Sequence, residues 1–479
     1  MARHVTILEH DGGQDDHHRH VRTRALPVTD VARSAARSAV PGAVPTAPNS
    51  VSAPATVLVP LPSGPAPLGL VPSPVRRRRR RRTRWPIPVL AVLSMTFGLV
   101  LQLGHGAPSL TVSLARQHAV TVGGSVPALP WPSAGQAALA VPAAGVLVSP
   151  GPETAAPVAS LTKMMTALVV LRDHPLKASA AGPQIVMTTA DQQDAAADSA
   201  NNDTSIPVTA GESLSERQLL DGLLVHSAND FADALATWDA GSVPAFVAKM
   251  NTTALWLGMT QTQYIDPNGI NPDDVSTPVD QLKLAQEAMT IPAFAAVVAQ
   301  PSITEPMAGL LSNYVSAIGT DGVVGIKSGF TQAAMGCVVL AADRQVDGRR
   351  VLMLAAVTGQ PGVTPLDTAQ SGALSLIDTA AGGLQVATLV PAHRLEGSLA
   401  APWSTTRPRL VTGSVLSTLV WPGTRWSSSL QVDRITRSVT AGQVVGALTF
   451  TNGKREISVP VRSTATVGPP SMSWRLIHS

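Results

Sequence analysis

Ser160 and Lys163 stand three residues apart in a stretch that predicts the first turn of a buried helix. Pro152 and Pro157 indicate a loop before them, and an apolar run without a helix breaker follows. Residues at i and i+3 share a helix face, so the hydroxyl and the amine can meet. A lysine accepts a serine proton only when its ammonium form is destabilised, as burial, a helix N-terminus or a second cation achieves. The pair is therefore a candidate nucleophile and base, although a serine here is also a common N-cap.

Two further stretches strengthen this interpretation. Ser227-Ala228-Asn229 begins 67 residues after Ser160, and Lys327-Ser328-Gly329 begins 100 residues after Ser227. In this order the three motifs match the set found in class A β-lactamases and penicillin-binding proteins. Lysine is scarce, with six in 479 residues, and two of the six occupy the positions that the motifs require. One short motif often matches by chance, so the ordered trio is far more specific than any member alone.

Positive charge is concentrated at the N-terminal end of the chain. The formal net charge is +4, but residues 1–84 contain fourteen arginines, no lysine and five acidic residues. The remainder is net acidic, which argues against a nucleic-acid-binding fold. Residues 1–84 are rich in Pro, Ala, Ser and Val without periodicity, and we predict a disordered basic segment. The single cysteine, Cys337, excludes an internal disulfide framework, and its apolar neighbours predict a buried, inert thiol.

An apolar stretch follows the arginines. Residues 85–103 contain no charged residue, and nineteen residues are enough to cross a bilayer as a helix. Seven consecutive arginines, Arg76–Arg82, precede it; such charge stays in the cytoplasm and can contact anionic lipid headgroups. We therefore predict a single transmembrane helix at 85–103 in the cell membrane, with residues 1–84 cytoplasmic and the catalytic motifs on the extracytoplasmic side. A cleaved signal peptide is the alternative, because small residues follow the stretch.

The pattern from residue 135 onward predicts a folded domain. Residues 104–134 are rich in Gly, Pro, Ser and Ala and predict a linker. Residues 135–385 begin and end with short apolar strands around a helical middle, which predicts one sheet built from both ends of the domain, with helices packed on it. The polar stretch 180–202 is predicted to be partly loop. The strands are predicted at 137–141, 145–149, 323–326, 336–342 and 351–357, and the last helix at 365–379.

Helical periodicity disappears after residue 386. Alternating apolar and polar residues predict strands at 409–420, 428–432, 443–450 and 456–461. The turn Asn452-Gly453 between the last two predicts a hairpin. We therefore predict a small C-terminal all-β domain at 386–479.

The region from Gln136 to Ala381 resembles serine-type D-alanyl-D-alanine carboxypeptidases, the low-molecular-weight penicillin-binding proteins. The resemblance implies the β-lactamase/transpeptidase-like fold, an α/β or α+β arrangement with helices packed on an antiparallel sheet. The β region resembles, more weakly, the C-terminal domain that many such enzymes carry. Ser328 stands where the family more often has Thr, and His226 stands where a small residue or Pro is commoner; we assign His226 no role. Beyond the trio, the resemblance rests on 219–224, 246–251, 257–259, Asp266-Pro267-Asn268-Gly269-Ile270 and Ser276-Thr277.

The resemblance also implies a role for each motif residue. Ser160 would attack the carbonyl between the two terminal D-alanines, Lys163 would take its proton, and Ser227 would relay it to the leaving amine. Asn229 would hold the substrate backbone and steady Lys163. Lys327 and Ser328 would bind the terminal carboxylate, and Gly329 would leave room for substrate. The oxyanion hole would be formed by the backbone N–H groups of Ser160 and Phe330.

The expected activity is therefore the removal of the terminal D-alanine from peptidoglycan stem peptides. The expected partners are those peptides and β-lactam antibiotics, which would acylate the same serine, with no metal, cofactor or nucleic acid. A peptidoglycan DD-endopeptidase and a non-catalytic penicillin-binding homologue stay open as alternatives. A class A β-lactamase fits less well, because the accepted deacylation base in that class is a glutamate after the second motif, and no glutamate occurs between Ser227 and Glu287.

Overall fold

The structure is a computed structural model that describes residues 86–104, 109–115 and 119–478. The basic segment predicted at 1–84 lies outside these residues. Two 3-10 turns, at 142–144 and 159–161, and a π turn at 222–226 supplement the helices. The helices are α1 (Pro86–Gly104), α2 (Thr162–Asp173), α3 (Thr189–Ala200), α4 (Glu216–Asp221), α5 (Asn229–Ala240), α6 (Val243–Trp256), α7 (Pro278–Ala288), α8 (Pro292–Val298), α9 (Pro365–Gly383) and α10 (Met472–His478).

Strands form one five-stranded sheet, one seven-stranded sheet and several two-stranded pairs. They are β1 (Thr111–Leu114), β2 (Ala119–Thr121), β3 (Gln136–Val141), β4 (Val146–Val148), β5 (Ala156–Pro157), β6 (Gln184–Val186), β7 (Ser213–Ser215), β8 (Val275–Ser276), β9 (Ser302–Glu305), β10 (Gly309–Ser312), β11 (Val323–Thr331), β12 (Met335–Val346), β13 (Arg349–Gln360), β14 (Gln385–Val390), β15 (Leu395–Ala400), β16 (Arg409–Thr412), β17 (Leu416–Val420), β18 (Arg425–Val432), β19 (Val444–Thr451) and β20 (Glu456–Ser463).

The five-stranded antiparallel sheet carries the predicted catalytic region. Its order is β11-β12-β13-β3-β4, so strands from both ends of the region lie in one sheet, as predicted. Successive strand residues point to opposite faces. On β3, Ala138 and Ala140 pack into a core formed with α2, α5, α7 and α8, whereas Ala137 and Leu139 pack into a second core with α9. Helices therefore cover both faces, and β11 is left as an edge strand.

Several elements are longer than their apolar runs suggest. β11 extends through Lys327-Ser328-Gly329 to Thr331, so the third motif lies within a strand. The stretch 180–202, predicted to be partly loop, contains β6 and α3 between loop segments, and a capping box between Thr188 and Asp191 fixes the start of α3. The capping box supplies hydrogen-bond acceptors for two backbone N–H groups at the helix start, and this stabilises a helix of polar composition.

The seven-stranded sheet has the order β1-β15-β16-β20-β19-β18-β2. The predicted hairpin is present, with Thr451 of β19 opposite Glu456 of β20. Two strands of the seven-stranded sheet come from the segment predicted as a linker. Strand β1 pairs with β15, and β2 pairs with β18. The linker prediction for 104–134 is therefore wrong at these two segments, because backbone pairing and burial of Val122 against the distant strands stabilise them. The boundary predicted at 385/386 falls between α9 and β14 and stays a prediction.

Helix α1 occupies the stretch predicted to span a membrane. Among the residues that the structure describes, however, none of the helices combines the length and the apolar character needed to cross a membrane. The structure therefore does not support the transmembrane helix predicted at 85–103.

Candidate active site

Ser160 lies in the 3-10 turn at 159–161, immediately before α2. The turn is held from behind, because the Thr162 hydroxyl donates to the buried Asp274 carboxylate over 3.0 Å. Ala159 has a φ of +50°, a left-handed conformation that non-glycine residues rarely adopt. Such strained turns persist where the surrounding structure enforces them, often at functional sites. The predicted helix start near Ser160 is confirmed, with the serine inside the preceding turn.

The Lys163 amine is enclosed by three oxygen atoms. Its Nζ lies 3.0 Å from Ser160 Oγ, 2.6 Å from Asn229 Oδ1 and 2.5 Å from the Asn268 carbonyl oxygen. The Lys163 side chain is fully buried, whereas Ser160 also lines an open cleft. The amine is thus fixed within hydrogen-bond reach of a hydroxyl that a ligand can approach, as proton transfer requires.

Burial lowers the pKa of Lys163 to about 8. Loss of hydration disfavours the ammonium form and is the largest cause. Four carboxylates act in the opposite direction and raise the pKa: Asp266, Asp233, Asp198 and Asp230. An amine with a pKa near 8 carries a free lone pair in a substantial fraction of molecules near neutral pH, which an exposed lysine does not.

Ser227 and Asn229 enter the site through an irregular helix junction. The π turn at 222–226 ends at Ser227, whose φ of +66° reverses the chain before α5 begins at Asn229. The Asn229 N–H donates to the Thr204 carbonyl over 2.9 Å, which fixes the helix start. Both side chains line the cleft beside Ser160. A change of helix pitch at this point brings the second motif beside the first.

Strand β11 carries the third motif along the edge of the sheet. Lys327 is buried, and its Nζ donates to the Ser328 carbonyl over 2.9 Å. Burial, and secondly the positive charge of Lys163, keep the pKa of Lys327 well below its usual range. Ser328, Gly329 and Phe330 line the cleft, and the Phe330 ring is half exposed. The two lysines therefore belong to one electrostatic unit.

Two glycines allow the backbone to pass close to Ser160. A Cβ on Gly329 would lie 2.8 Å from the Ser160 nitrogen, and a Cβ on Gly269 would lie 2.1 Å from the Ala159 carbonyl oxygen. Contacts this short do not occur in folded proteins, so any side chain there would move the turn. Gly269 also has a φ of +85°, which favours glycine. The turn that bears Ser160 thus packs between β11 and the loop containing Gly269.

The loop at 266–271 contains a Lys163 partner that the sequence did not reveal. Asp266-Pro267-Asn268-Gly269 predicts only a turn, yet the Asn268 carbonyl accepts from Lys163. The Asn268 side chain donates to Asp233 Oδ2 over 3.0 Å. The sequence offered only a weak indication that Asp233 lies near the site. Asn229 and Asp233 are spaced i, i+4, so a helix places them on one face.

The cleft has a volume of about 270 Å³. His226, left without a role by the sequence, is half buried and stacks on Tyr314 with ring centroids 5.3 Å apart; Tyr314 lines the cleft. Burial lowers the pKa of His226. Within the described part of the chain, no cluster of three or more His, Cys, Asp and Glu side chains could hold a metal ion. The cleft lining is Ser160, Asn202, Asp203, Thr204, Ser227, Asn229, Gly269, Ile270, Tyr314, Ser328, Gly329, Phe330, Thr331 and Leu366.

The expected inert thiol is buried in the five-stranded sheet. Cys337 on β12 lies opposite Gly329, and its Sγ contacts the Ala334 carbonyl at 3.4 Å. Burial raises the pKa of the Cys337 thiol to about 11, so it stays protonated near neutral pH.

Comparison with known proteins places this site in a family. Residues 133–358 match the model of the D-alanyl-D-alanine carboxypeptidase family, Peptidase_S11. The chain is 34% identical to D-alanyl-D-alanine carboxypeptidase DacB2 of Mycobacterium tuberculosis, over 43% of this chain and 69% of that protein. It is 33% identical to the D-alanyl-D-alanine carboxypeptidase of Streptomyces sp. strain K15, over 39% and 67% respectively.

Similar proteins also include one named an endopeptidase. A solved structure shows a likeness over more of the chain than residues 133–358. The D-alanyl-D-alanine endopeptidase of Pseudomonas aeruginosa is 31% identical over 41% of this chain and 62% of that protein. Penicillin binding protein 5 from Haemophilus influenzae superposes with a TM-score of 0.53 over 72% of this chain and all of that one. At 19% identity this second likeness concerns the fold alone.

Proposed function

The chain belongs to the D-alanyl-D-alanine carboxypeptidase family and is a serine peptidase, and from this premise we propose that Ser160 is the nucleophile with which it removes the terminal D-alanine of peptidoglycan stem peptides. One observation carries the assignment. The buried Lys163 amine lies 3.0 Å from Ser160 Oγ and has its pKa lowered to about 8. A serine needs such a base to become a nucleophile.

Acylation begins with a proton transfer. Neutral Lys163 takes the hydroxyl proton as Ser160 Oγ attacks the carbonyl carbon of the penultimate D-alanine. The negative charge that develops on the carbonyl oxygen is stabilised by the backbone N–H groups of Ser160 and Phe330. Asn229 and the Asn268 carbonyl hold the Lys163 amine in place, and their hydrogen bonds to Nζ support this role.

Departure of the terminal D-alanine requires the proton to reach its nitrogen. Lys163 returns the proton through the Ser227 hydroxyl, the C–N bond breaks, and D-alanine leaves as a neutral amine. Both serines line the same cleft, which supports this relay. Water then attacks the acyl-enzyme, the bond to Ser160 Oγ breaks, and the serine regains a proton.

The third motif gives the site its specificity for a free carboxylate. The terminal carboxylate binds the Lys327 ammonium and the Ser328 hydroxyl, a charge-assisted pair. An anion offsets the burial cost that lowers the pKa of Lys327. The carboxylate of a penicillin would occupy the same place, and its strained carbonyl would be attacked by the same serine. Gly329 lets β11 lie close to the turn that bears Ser160, because a Cβ there would lie 2.8 Å from the Ser160 nitrogen.

The endopeptidase alternative has a specific observation behind it, since similar proteins of Pseudomonas aeruginosa and Escherichia coli are named endopeptidases. The two activities share the acyl-enzyme and differ in whether the leaving amine is a free D-alanine or a cross-linked residue. The β-lactamase alternative gains no support, because Glu287 lies on α7 and does not line the cleft.

Incubation with defined muropeptides tests the proposal. Purified protein is mixed with a monomeric pentapeptide ending in D-Ala-D-Ala and, separately, with a cross-linked dimer, and products are read by mass spectrometry. We expect loss of one alanine from the monomer. Cleavage of the dimer alone would identify an endopeptidase instead. A labelled penicillin should bond to Ser160, and Ser160→Ala should abolish labelling; equal labelling of a folded Ser160→Ala protein would refute the assignment.

We also propose, on sequence grounds, that the cleft lies on the extracytoplasmic side of the cell membrane. Peptidoglycan stem peptides are processed there, and Arg76–Arg82 precede the apolar stretch 85–103. A reporter active only in the cytoplasm, fused after Ser109, should be silent, and the same reporter fused before Arg76 should be active. Activity after Ser109 would contradict the proposal.

A further inference from the structure

Asp233 lies outside the family motifs and outside the catalytic cleft. It follows Asn229 by one helical turn on α5, so the two side chains share a helix face. It does not line the cleft; it lines a separate cavity together with Asp191 and Asp194. Any effect of Asp233 on the reaction through hydrogen bonding must therefore pass through another residue.

Asn268 is that residue. Its side-chain Nδ2 donates to Asp233 Oδ2 over 3.0 Å, and its Oδ1 accepts from the Ile270 N–H over 3.0 Å. Its backbone N–H donates to Asp266 Oδ1 over 3.0 Å. These three bonds leave the carbonyl oxygen as the group that accepts from Lys163. The side chain of Asn268 is buried, so water does not readily replace a lost partner.

We propose that Asp233 is a positioning residue that holds Asn268 so that its carbonyl aims the Lys163 amine at Ser160. Helix α5 then holds the base twice: Asn229 accepts from Nζ directly, and Asp233 acts one turn later through Asn268. The inference rests on the proposed function, since it assigns a purpose to Lys163 as the base. Neither bond involves substrate, so the effect falls on the acylation step and not on ligand binding.

The charge of Asp233 gives a second, separable effect. The charged groups that act on Lys163 are Asp266 from the loop, Asp198 from α3, and Asp230 and Asp233 from α5, while Lys327 of β11 is itself affected by Lys163. Ionised Asp233 raises the pKa of Lys163, although burial raises its own pKa to about 7. Removing this carboxylate therefore lowers the pH at which Lys163 becomes neutral.

Two variants separate the hydrogen bond from the charge. Asp233→Asn retains an oxygen that accepts from Asn268 Nδ2 and loses the charge, whereas Asp233→Ala loses both. Acylation by a labelled penicillin is measured by rapid mixing, so that the binding constant and the maximal acylation rate are obtained separately between pH 6 and pH 10. Wild-type labelling at Ser160 is established first; its failure would refute the proposed function and not this inference.

For Asp233→Asn we expect a maximal acylation rate within about threefold of wild type. The rise of the acylation rate with pH should occur at lower pH than in the wild type. For Asp233→Ala we expect a maximal rate lower by about 10- to 100-fold, because small misplacements of a catalytic group have effects of this size. The penicillin binding constant should change by less than about twofold in both, since Asp233 does not touch the cleft. Asp239→Asn, an acid on the same helix that pairs with Lys249, is the matched control and should leave rate and pH profile unchanged.

A double-mutant cycle keeps the test decisive if Asp233→Ala fails to fold. Asn268→Ala keeps the main-chain carbonyl and loses the side-chain anchor, so it should show the same rate loss. Asp233→Leu fills the space of Asp233 without accepting from Asn268 Nδ2, so alone it should show the same rate loss. Combined with Asn268→Ala it should be no slower than Asn268→Ala alone, because both changes remove one interaction. The inference is overturned if folded Asp233→Ala or Asn268→Ala acylates at the wild-type rate, or if the Asn268 and Asp233 changes alter the rate independently.

Discussion

Lys163 and Lys327 are both buried beside one cleft, and burial together with the positive charge of Lys163 lowers the pKa of Lys327. Charging both amines at once is unfavourable, because like charges repel strongly where water is scarce. The two sites therefore titrate as a coupled pair. The proposed mechanism requires Lys163 to be neutral, so that it can accept the serine proton, and Lys327 to be charged, so that it can bind a carboxylate.

The rate of acylation should rise with pH toward about 8. Lys163, whose pKa is lowered to about 8, holds a proton below that pH and cannot accept another. Each unit below the pKa should then reduce the rate by about tenfold. Labelled-penicillin acylation between pH 6 and pH 10 checks this, and a rate independent of pH from 6 to 8 would exclude Lys163 as the base.

Gly329→Ala should slow acylation strongly. A Cβ there would lie 2.8 Å from the Ser160 nitrogen and would push the 3-10 turn away from β11. A displacement of about 1 Å can reduce a catalytic rate about 10²-fold. Gly382→Ala in α9, where a Cβ meets nothing within 4 Å, is the matched control and should acylate normally. The measurement is the second-order rate with labelled penicillin, and equal rates for the two variants would contradict the close approach.

Ser328→Thr should retain activity, and Ser328→Ala should lose it. Thr is favoured in strands and keeps the hydroxyl proposed to donate to the substrate carboxylate, whereas Ala lacks that hydroxyl. A hydrogen bond to a charged group contributes about 1.5–3 kcal/mol, so Ser328→Ala should weaken kcat/KM by about 10- to 100-fold. Hydrolysis of a D-Ala-D-Ala pentapeptide measures the difference. Comparable activity in both variants would remove Ser328 from carboxylate binding.

A shortened protein of residues 126–385 should still be acylated. Every motif residue lies within it. Strands β1 and β2 pair with β15 and β18 of the β region, so removing both parts together leaves no strand of these pairs without its partner. Strand β4 and the turn at 142–144 would lose the hydrogen bonds that the Leu147 and Ala143 carbonyls accept from Lys454 and Arg455, in the turn between β19 and β20. Covalent labelling with penicillin, after circular dichroism has established folding, checks this. A folded but unlabelled protein would mean that the β region contributes to the site.

The sequence by itself provided the candidate residues of the site and the chemistry proposed for them. Ser160, Lys163, Ser227, Asn229 and the Lys327-Ser328-Gly329 motif are recognisable from residue type and order, because nucleophile, base and carboxylate binder each require particular side chains. The five-stranded sheet was predictable as well, since apolar runs of strand length stand at both ends of a helical region. These signals are local, and each can be read within a few residues of the chain.

Tertiary structure decided how the base is tuned and held. Lys163 meets Asn229 and the Asn268 carbonyl across 66 and 105 residues of chain, and its pKa depends on burial and on carboxylates from three other segments. No local pattern encodes which distant oxygen will face an amine, so the Asp233–Asn268 contact was invisible in sequence. The same reason explains β1 and β2. So short a segment becomes a strand only when a distant strand edge offers N–H and C=O partners, and only the folded chain brings that edge to it.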